Sequence, residues 1–421
     1  MITLYNMDVC EALKQIPNES VDCIVTSPPY FGVRNYKGET ETVWGENKMC
    51  EHEFEVKERY VHRGSSKTTV HHAIKKGNLQ VDWKTQDKTC KKCGAWKGSL
   101  GLEEHPQDYI NHIVEVSTEC MRVLKKTGVF FLNLGDTYYT KSGSGFKGDK
   151  FKSKFLDEEL SNHSNQIRGK FKSNWLQSKQ KLLIPHKIAI ALQEKGFLIR
   201  DDCVWVKKLM MYPEKETIGS TMPFPVQDKL LPSTEYIFQI VKNRKYYFNL
   251  EDLRTPIKNS SFNRMKHKES STMNKEGSPY KEQKLKEYWD KQTSKKLTKN
   301  QDAIVGKGYQ NWSVTAEVQD ANPTNAIMFR RSDEFSKQDK DNQHFASFPE
   351  TLAEFFILVG CPKDGVVLDP FAGSGTTLVS ARKLNRNAIG IEISKEYCNL
   401  IEKRFFRGNK TLVPEEFKVI K

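Results

Sequence analysis

Two short stretches of this 421-residue chain carry residue types at spacings that suit chemistry: Asp369-Pro370-Phe371-Ala372-Gly373-Ser374-Gly375-Thr376-Thr377 and Thr26-Ser27-Pro28-Pro29-Tyr30. The apolar run Gly365-Val366-Val367-Leu368 predicts a buried parallel strand, and Asp369 to Gly375 a tight turn that opens a helix at Thr376. Gly373 and Gly375 let the backbone approach a ligand, and the first N–H groups of the helix suit a carboxylate or phosphate. A Walker loop needs a lysine before the Ser/Thr, and a dinucleotide site needs a third glycine; neither is present here. The next strand, Ala388-Ile389-Gly390-Ile391-Glu392, ends on an acid seventeen residues beyond Gly375, near the offset at which a carboxylate grips ribose hydroxyls. These residues describe a cofactor-binding turn; the alternative is a strand-to-helix turn with no ligand, closed by an ordinary surface acid.

The elements that position the other stretch are equally readable. Val21-Asp22-Cys23-Ile24-Val25-Thr26 predicts a strand, and the two prolines after Ser27 forbid helix and set an extended turn at its carboxyl end. Ligands of open α/β sheets bind at that edge. Val129 to Leu134 predicts another buried strand, closed by Gly135-Asp136 and preceded by a helix from about Pro106 to Leu124 with apolar spacing Tyr109, Ile113, Val116, Met121, Leu124. Asp136 either lines a pocket or caps a turn.

With these motifs the chain resembles the S-adenosylmethionine-dependent DNA amino-methyltransferases: Asp369 to Thr377 is similar to their cofactor motif, and Ser27-Pro28-Pro29-Tyr30 to their catalytic one. The catalytic motif comes first and the cofactor motif last, as in the beta-type order of that family. The resemblance implies S-adenosyl-L-methionine as cofactor, held by Asp369, Phe371, Gly373, Ser374, Gly375, Thr376 and Glu392. It implies catalysis at Ser27, Pro28, Pro29 and Tyr30. An exocyclic amino nitrogen is a poor nucleophile because its lone pair is delocalised into the ring, so its hydrogens must be accepted and the nitrogen held in line with the methyl sulfonium. The Ser27 hydroxyl and the Pro28 carbonyl are the expected acceptors, and Tyr30 offers a face on which a base extruded from the duplex stacks. Serine at the first motif position leans toward the 4-amino group of cytosine rather than the 6-amino group of adenine. Carbon-5 methylation needs the thiolate of a Pro-Cys dipeptide, and the chain has none.

Further positions follow from the same resemblance. Asp8, in Tyr5-Asn6-Met7-Asp8, matches the acid that contacts the cofactor's adenine. His344 and Phe345, in His344-Phe345-Ala346-Ser347-Phe348-Pro349 ahead of a helix from Glu350 to Val359, match the segment that closes over the methionine end. Trp205 and Lys207, in Val204-Trp205-Val206-Lys207, match residues that flank the target-base pocket. Each has a plain structural alternative: a loop acid, core phenylalanines, a buried strand aromatic.

The net charge of +14 favours a polyanionic partner. Residues 258–300 hold twelve Lys/Arg against five Asp/Glu, half of that excess, interleaved with Tyr280, Tyr288 and Trp289. The stretch reads as a phosphate-contacting surface or as a solvated Lys-rich loop. Residues 140–181, with Gly143, Gly145 and Gly148 among Lys and Ser, read as a polar loop. No apolar stretch is long enough to span a bilayer, and Met1-Ile2-Thr3-Leu4 lacks a signal-peptide pattern, so a cytoplasmic protein is expected.

Six of the nine cysteines are scattered, most of them in apolar neighbourhoods. The other three accompany a histidine: Cys50-Glu51-His52 and Cys90-Lys91-Lys92-Cys93-Gly94 offer three sulfurs and one imidazole for a tetrahedral structural zinc, with Lys88 to Lys92 read as a turn. His62, His71 and His72 are rival ligands, and unligated surface thiols are the alternative. Family members with a similar insertion support the metal. Such an insertion would brace the loop after Tyr30 or touch DNA.

The expected architecture is α/β: a doubly wound, mostly parallel Rossmann-like methyltransferase sheet with inserted zinc-binding and DNA-recognition segments. Its parts are core at 1–44, a zinc-binding insertion at 45–100, core at 101–139, a polar loop at 140–181, core at 182–250, a basic target-recognition region at 251–320, and the cofactor-binding part with the C-terminal tail at 321–421. The expected partners are duplex DNA and a cognate restriction endonuclease, with the chain a monomer or homodimer. Adenine-N6 methylation, methylation of RNA or a protein glutamine, and a catalytically silent DNA-binding module are the competing functions.

Overall fold

The buried strands alternate their side chains between two cores, and that alternation dictates a sheet covered on both faces. Ile24, Phe130, Leu132 and Leu368 enter one core, whereas Cys23, Val25, Val129, Phe131 and Val367 enter the other. The computed structural model describes residues 1–32, 40–45, 50–62, 79–139, 173, 175–221, 227–253, 255–256, 304–305, 320–321, 323–329, 348–408 and 417–421.

The first two strands are β1 (Ile2–Tyr5) and β2 (Val21–Thr26). A small insertion follows with β3 (Thr42–Trp44), β4 (Phe54–His62), β5 (Leu79–Cys90) and β6 (Trp96–Gly98). Next come β7 (Leu124–Leu134), β8 (Leu198–Val206), the short hairpin β9 (Lys208–Met210) and β10 (Thr217–Gly219), and β11 (Thr234–Val241). Two-residue strands β12 (Tyr246–Tyr247) and β14 (Ile304–Val305) pair with each other, as do β13 (Thr255–Pro256) and β15 (Asp320–Ala321). The last strands are β16 (Ala326–Ile327), β17 (Val366–Asp369), β18 (Asn387–Ile391) and β19 (Phe417–Ile420). Nine of them form the main sheet in the order β16-β8-β11-β7-β2-β17-β18-β1-β19. Each pairing is parallel except those of β11, which runs against both neighbours.

Helices α1 (Val9–Gln15), α2 (Pro106–Val123) and α3 (Ile184–Glu194) cover one face through residues such as Leu13, Ile113 and Ile188. Helices α4 (Glu350–Gly360), α5 (Thr376–Lys383) and α6 (Lys395–Gly408) cover the other through Phe356, Leu378 and Ile401. This is the doubly wound, mostly parallel sheet expected from the sequence.

The boundaries differ in four places. β7 starts at Leu124 rather than Val129, because Leu124 already pairs with Val21 across a register shift and Lys125 donates to Asp22 at 2.8 Å. Thr42–Trp44, assigned to the core, pairs with β6 and so belongs to the sheet of the insertion. Lys88 to Cys90 lie in β5, which confines the turn to 91–93. The C-terminal tail contributes β19, which pairs beside β1 at the sheet's edge. Residues 140–172, the basic stretch 258–300 with Tyr280, Tyr288 and Trp289, and His71, His72, His344 and Phe345 lie outside the described residues. No helix among the described residues is long and apolar enough to cross a membrane.

Phe131 is 1% exposed and its ring centroid lies 4.6 Å from that of Phe356, so it ties β7 to α4. Phe131→Ala should cost about 3–5 kcal/mol, seen as a lower denaturant midpoint. Ile190→Ala, on the exposed side of α3, should shift stability by less than about 0.5 kcal/mol.

Candidate active site

The parallel pairing of β2 with β17 brings Thr26 and Asp369 to the same carboxyl edge of the sheet, although 343 residues separate them. The Thr26 hydroxyl donates to Asp369 Oδ1 at 2.6 Å, the Thr377 hydroxyl to Oδ2 at 2.7 Å, and the Phe371 N–H to Oδ1 at 3.1 Å. Burial pushes the Asp369 carboxyl up to about 6, against these three bonds, which favour its charged form. Asp369 is therefore a fastener inside the turn rather than an exposed ligand group.

Gly373 and Gly375 have φ of 51° and 78°, the left-handed region that glycine enters without strain, and Gly375 caps α5. A Cβ at Gly375 would meet Ile401 at 2.9 Å. The hydroxyls of Ser374 and Thr376 are buried and face each other at 3.4 Å. Glu392, just past β18, accepts from Gly373 N–H and Ser394 N–H, both at 2.8 Å. Burial raises its carboxyl to about 7, with Asp369 adding to the shift and the backbone donors opposing it. Asn6 donates to the carbonyls of Glu392 and Ile393, which seats the start of the chain beside this acid. Asp8 itself caps α1 by accepting from Cys10 and Glu11 N–H groups. The donor set fits a cofactor with ribose hydroxyls and a charged end.

The Ser27 to Tyr30 turn is held from outside. Tyr109 of α2 donates to the Pro29 carbonyl at 2.8 Å, and Gly32 N–H donates to the Gly101 carbonyl at 2.8 Å. The Tyr30 ring occupies space that any side chain at 135 would fill, since a Cβ on Gly135 would lie 2.5 Å from it. The Ser27 hydroxyl donates to the Tyr30 hydroxyl at 3.0 Å, and Tyr30 donates to Glu235 Oε2 at 2.8 Å. Asn133 Nδ2 donates to the Tyr30 oxygen at 2.9 Å, and Lys207 donates to Glu235 Oε1. Lys207 also lies 4.6 Å over the Trp205 ring and reaches the Tyr30 hydroxyl through Glu235. Glu235 and Asn133 escaped the sequence reading. Their signals were a carboxylate opening an apolar strand and an amide inside the run Val129 to Leu134. Asp136 accepts from Thr137 and Ile184 N–H groups and thereby caps α3.

The insertion gathers its four expected metal ligands. Cys50 and Cys90 sulfurs lie 3.9 Å apart, Cys93 sulfur lies 3.4 Å from His52 Nδ1, and all four ligand atoms fall within 4.8 Å of one another. A tetrahedral zinc requires edges of about 3.8 Å between sulfurs and about 3.5 Å between sulfur and nitrogen. Burial opposes a charged Cys90, yet N–H groups of Cys93, Glu53 and Lys92 and the His52 ring bring it down to about 5. Both the spacing and the donor chemistry fit the metal. From this cluster β6 leads to Gly101. Trp44 and Trp96 stack on His112 at 4.9 and 5.6 Å, and His112 pairs with the buried Glu103 at 2.9 Å. Glu103 in turn accepts from Gly101 N–H at 2.8 Å.

The chain is 25% identical over 400 residues to the type II methyltransferase M.SmaI of Serratia marcescens, covering 95% of this chain and 89% of that protein. It is 24% identical over 411 residues to M.Cfr9I of Citrobacter freundii, covering 98% and 89%. The solved structure of PvuII DNA methyltransferase (cytosine-N4-specific) superposes with a TM-score of 0.49 at 14% identity, over 99% of this chain and 89% of that one. The family model N6_N4_Mtase, described as DNA methylase, matches residues 21–403. Spanning both motifs and nearly the whole sheet, that match makes the chain a member of the N6/N4 DNA methylase family.

Proposed function

We propose that this DNA methylase uses S-adenosyl-L-methionine to methylate the exocyclic N4 of a cytosine rotated out of duplex DNA. The observation that carries the reading is the Thr26 to Asp369 hydrogen bond, which joins the catalytic turn to the glycine turn on one rim. When bound, S-adenosyl-L-methionine supplies an electrophilic methyl group on a sulfonium sulfur. Glu392 retains acceptor capacity for ribose hydroxyls, and the Gly373 to Gly375 backbone lets the cofactor approach closely. The Ser27 hydroxyl and the Pro28 carbonyl accept the amino hydrogens and draw the nitrogen lone pair out of the ring. Tyr30 stacks the extruded base. Serine at position 27 supports cytosine through the family resemblance. The type II relatives support a modification role beside a cognate restriction endonuclease. The charge of residues 258–300 supports phosphate contact by that stretch. The Cys50, His52, Cys90 and Cys93 cluster holds a structural zinc whose sheet braces the catalytic turn through Gly101.

Duplex DNA methylated by the protein and digested to nucleosides should yield N4-methylcytosine; N6-methyladenine would overturn the base assignment and leave the reaction class standing. Tyr30→Ala should lower kcat roughly 100-fold with cofactor affinity nearly unchanged, whereas Gly373→Arg should abolish cofactor binding in calorimetry. Cofactor binding selects the ionised Glu392, so affinity should tighten as pH rises toward about 7, approach about tenfold per unit below it, and level off above. Glu392→Gln should flatten that profile. Metal analysis should find one zinc per four-ligand cluster. Its removal, or Cys93→Ser, should lower both the melting temperature and kcat; metal-free protein with full activity would refute the bracing role.

A further inference from the structure

On the methyl-transfer reading above, the hydrogen bonds around Ser27 run in one direction. Glu235 is paired with the Lys207 ammonium, and a carboxylate only accepts. Tyr30 has one hydroxyl proton, directed at Glu235 Oε2 at 2.8 Å, so its oxygen must accept from Ser27 at 3.0 Å. Ser27 also has one proton, and this chain commits it to Tyr30. Asn133 strengthens the direction, its amide N–H groups facing the Tyr30 oxygen at 2.9 Å, Glu235 Oε2 at 3.2 Å and the Ser27 oxygen at 3.4 Å, with two hydrogens shared among three acceptors. Its amide is 2% exposed, and its Oδ1 has no hydrogen-bond partner among the described residues. Turning that amide over would satisfy no better geometry, because it would set Oδ1 against the Glu235 carboxylate. A buried acceptor left unpaired is costly, and the network keeps it.

We propose that Glu235 is a positioning residue that acts through Tyr30 to make the Ser27 oxygen an acceptor only toward the target amino group. The sign matters for the chemistry. A Ser27 hydroxyl free to rotate would also donate to the amino nitrogen and engage the lone pair that must attack the methyl carbon. A Ser27 oxygen that only accepts withdraws the N–H hydrogens and leaves that lone pair available. Lys207, expected from the sequence to flank the base, thus serves the chain from its far end by pairing with the Glu235 carboxylate.

The test is Glu235→Gln, whose amide is able to donate to Tyr30 and so reverse the chain. Methyl transfer to duplex DNA should fall about 100-fold in kcat, while KM for DNA and for the cofactor stay within about threefold of the parent. Glu235→Asp, which keeps a carboxylate, should recover most of that loss. In a Ser27→Ala or Tyr30→Phe background, Glu235→Gln should change kcat less than about twofold, because the path it acts through is already cut. A loss of equal size in the parent and in those backgrounds would overturn the proposal, as would Gln and Asp variants that are equally impaired. If Glu235→Gln does not fold, the shorter isosteric pair Glu235→Asp and Glu235→Asn makes the same comparison. A folded parent that transfers no methyl group to DNA would instead overturn the functional reading and this inference together.

Discussion

One buried carboxylate holds the candidate site together. Asp369 sits where the end of β17, the end of β2 and the start of α5 converge, and it accepts from a residue of each neighbour, Thr26 and Thr377. Removing the charge from water is unfavourable, which its raised pKa registers, and hydrogen bonds to a charged group return roughly 1.5–3 kcal/mol each. The balance gives little net stability but strong geometric definition, because a buried carboxylate that loses a partner has no water to replace it. The Ser27 to Tyr30 turn and the glycine turn are therefore tied to each other by one short side chain.

Chain order becomes irrelevant under that constraint. β2 and β17 are neighbours in the sheet although one opens the chain and the other nearly closes it, and strands from both termini, β1 and β19, complete the same edge. What the reaction requires is that the carboxyl ends of parallel strands share a rim. β11 adds to this by running antiparallel, so that its first residues, Thr234 and Glu235, arrive at the edge where β2, β7 and β8 end. An antiparallel strand here thus delivers an acid to a rim that parallel strands reach with their last residues.

Much of this was legible in the sequence because it depends on local rules. Two prolines and two glycines declare their turns through restricted or permitted φ, and the runs Val21 to Thr26 and Val366 to Leu368 declare buried strands by composition. The Cys50, His52, Cys90 and Cys93 cluster was legible by residue type, although the β4–β5 hairpin was needed to close the gap between Cys50 and Cys90. Glu235 and Asn133 were not legible, for a physical reason. A polar residue in a strand gains meaning only from its cross-strand and same-rim neighbours, and those are set by register rather than by sequence distance. The reach of β7 back to Leu124 was hidden in the same way, since nothing in Lys125 and Lys126 marks a strand until Asp22 is placed beside them.

The insertion reaches the Ser27 to Tyr30 turn through a series of anchored residues. Between the Cys50, His52, Cys90 and Cys93 cluster and that turn the backbone passes Trp96, Gly98 and Gly101, and each step is anchored: Trp96 on His112, Gly98 by the Trp44 indole N–H at 3.1 Å, Gly101 by Glu103. Gly101, at φ 90°, then meets Gly32, and a Cβ there would lie 2.9 Å from the Tyr30 carbonyl. Burial raises the Glu103 carboxyl, and the hydrogen bonds from the His112 ring and the Gly101 N–H oppose that shift. A pair of prolines fixes the shape of the Ser27 to Tyr30 turn but not its position on the sheet. Its position comes from Tyr109 on one side and this anchored path on the other.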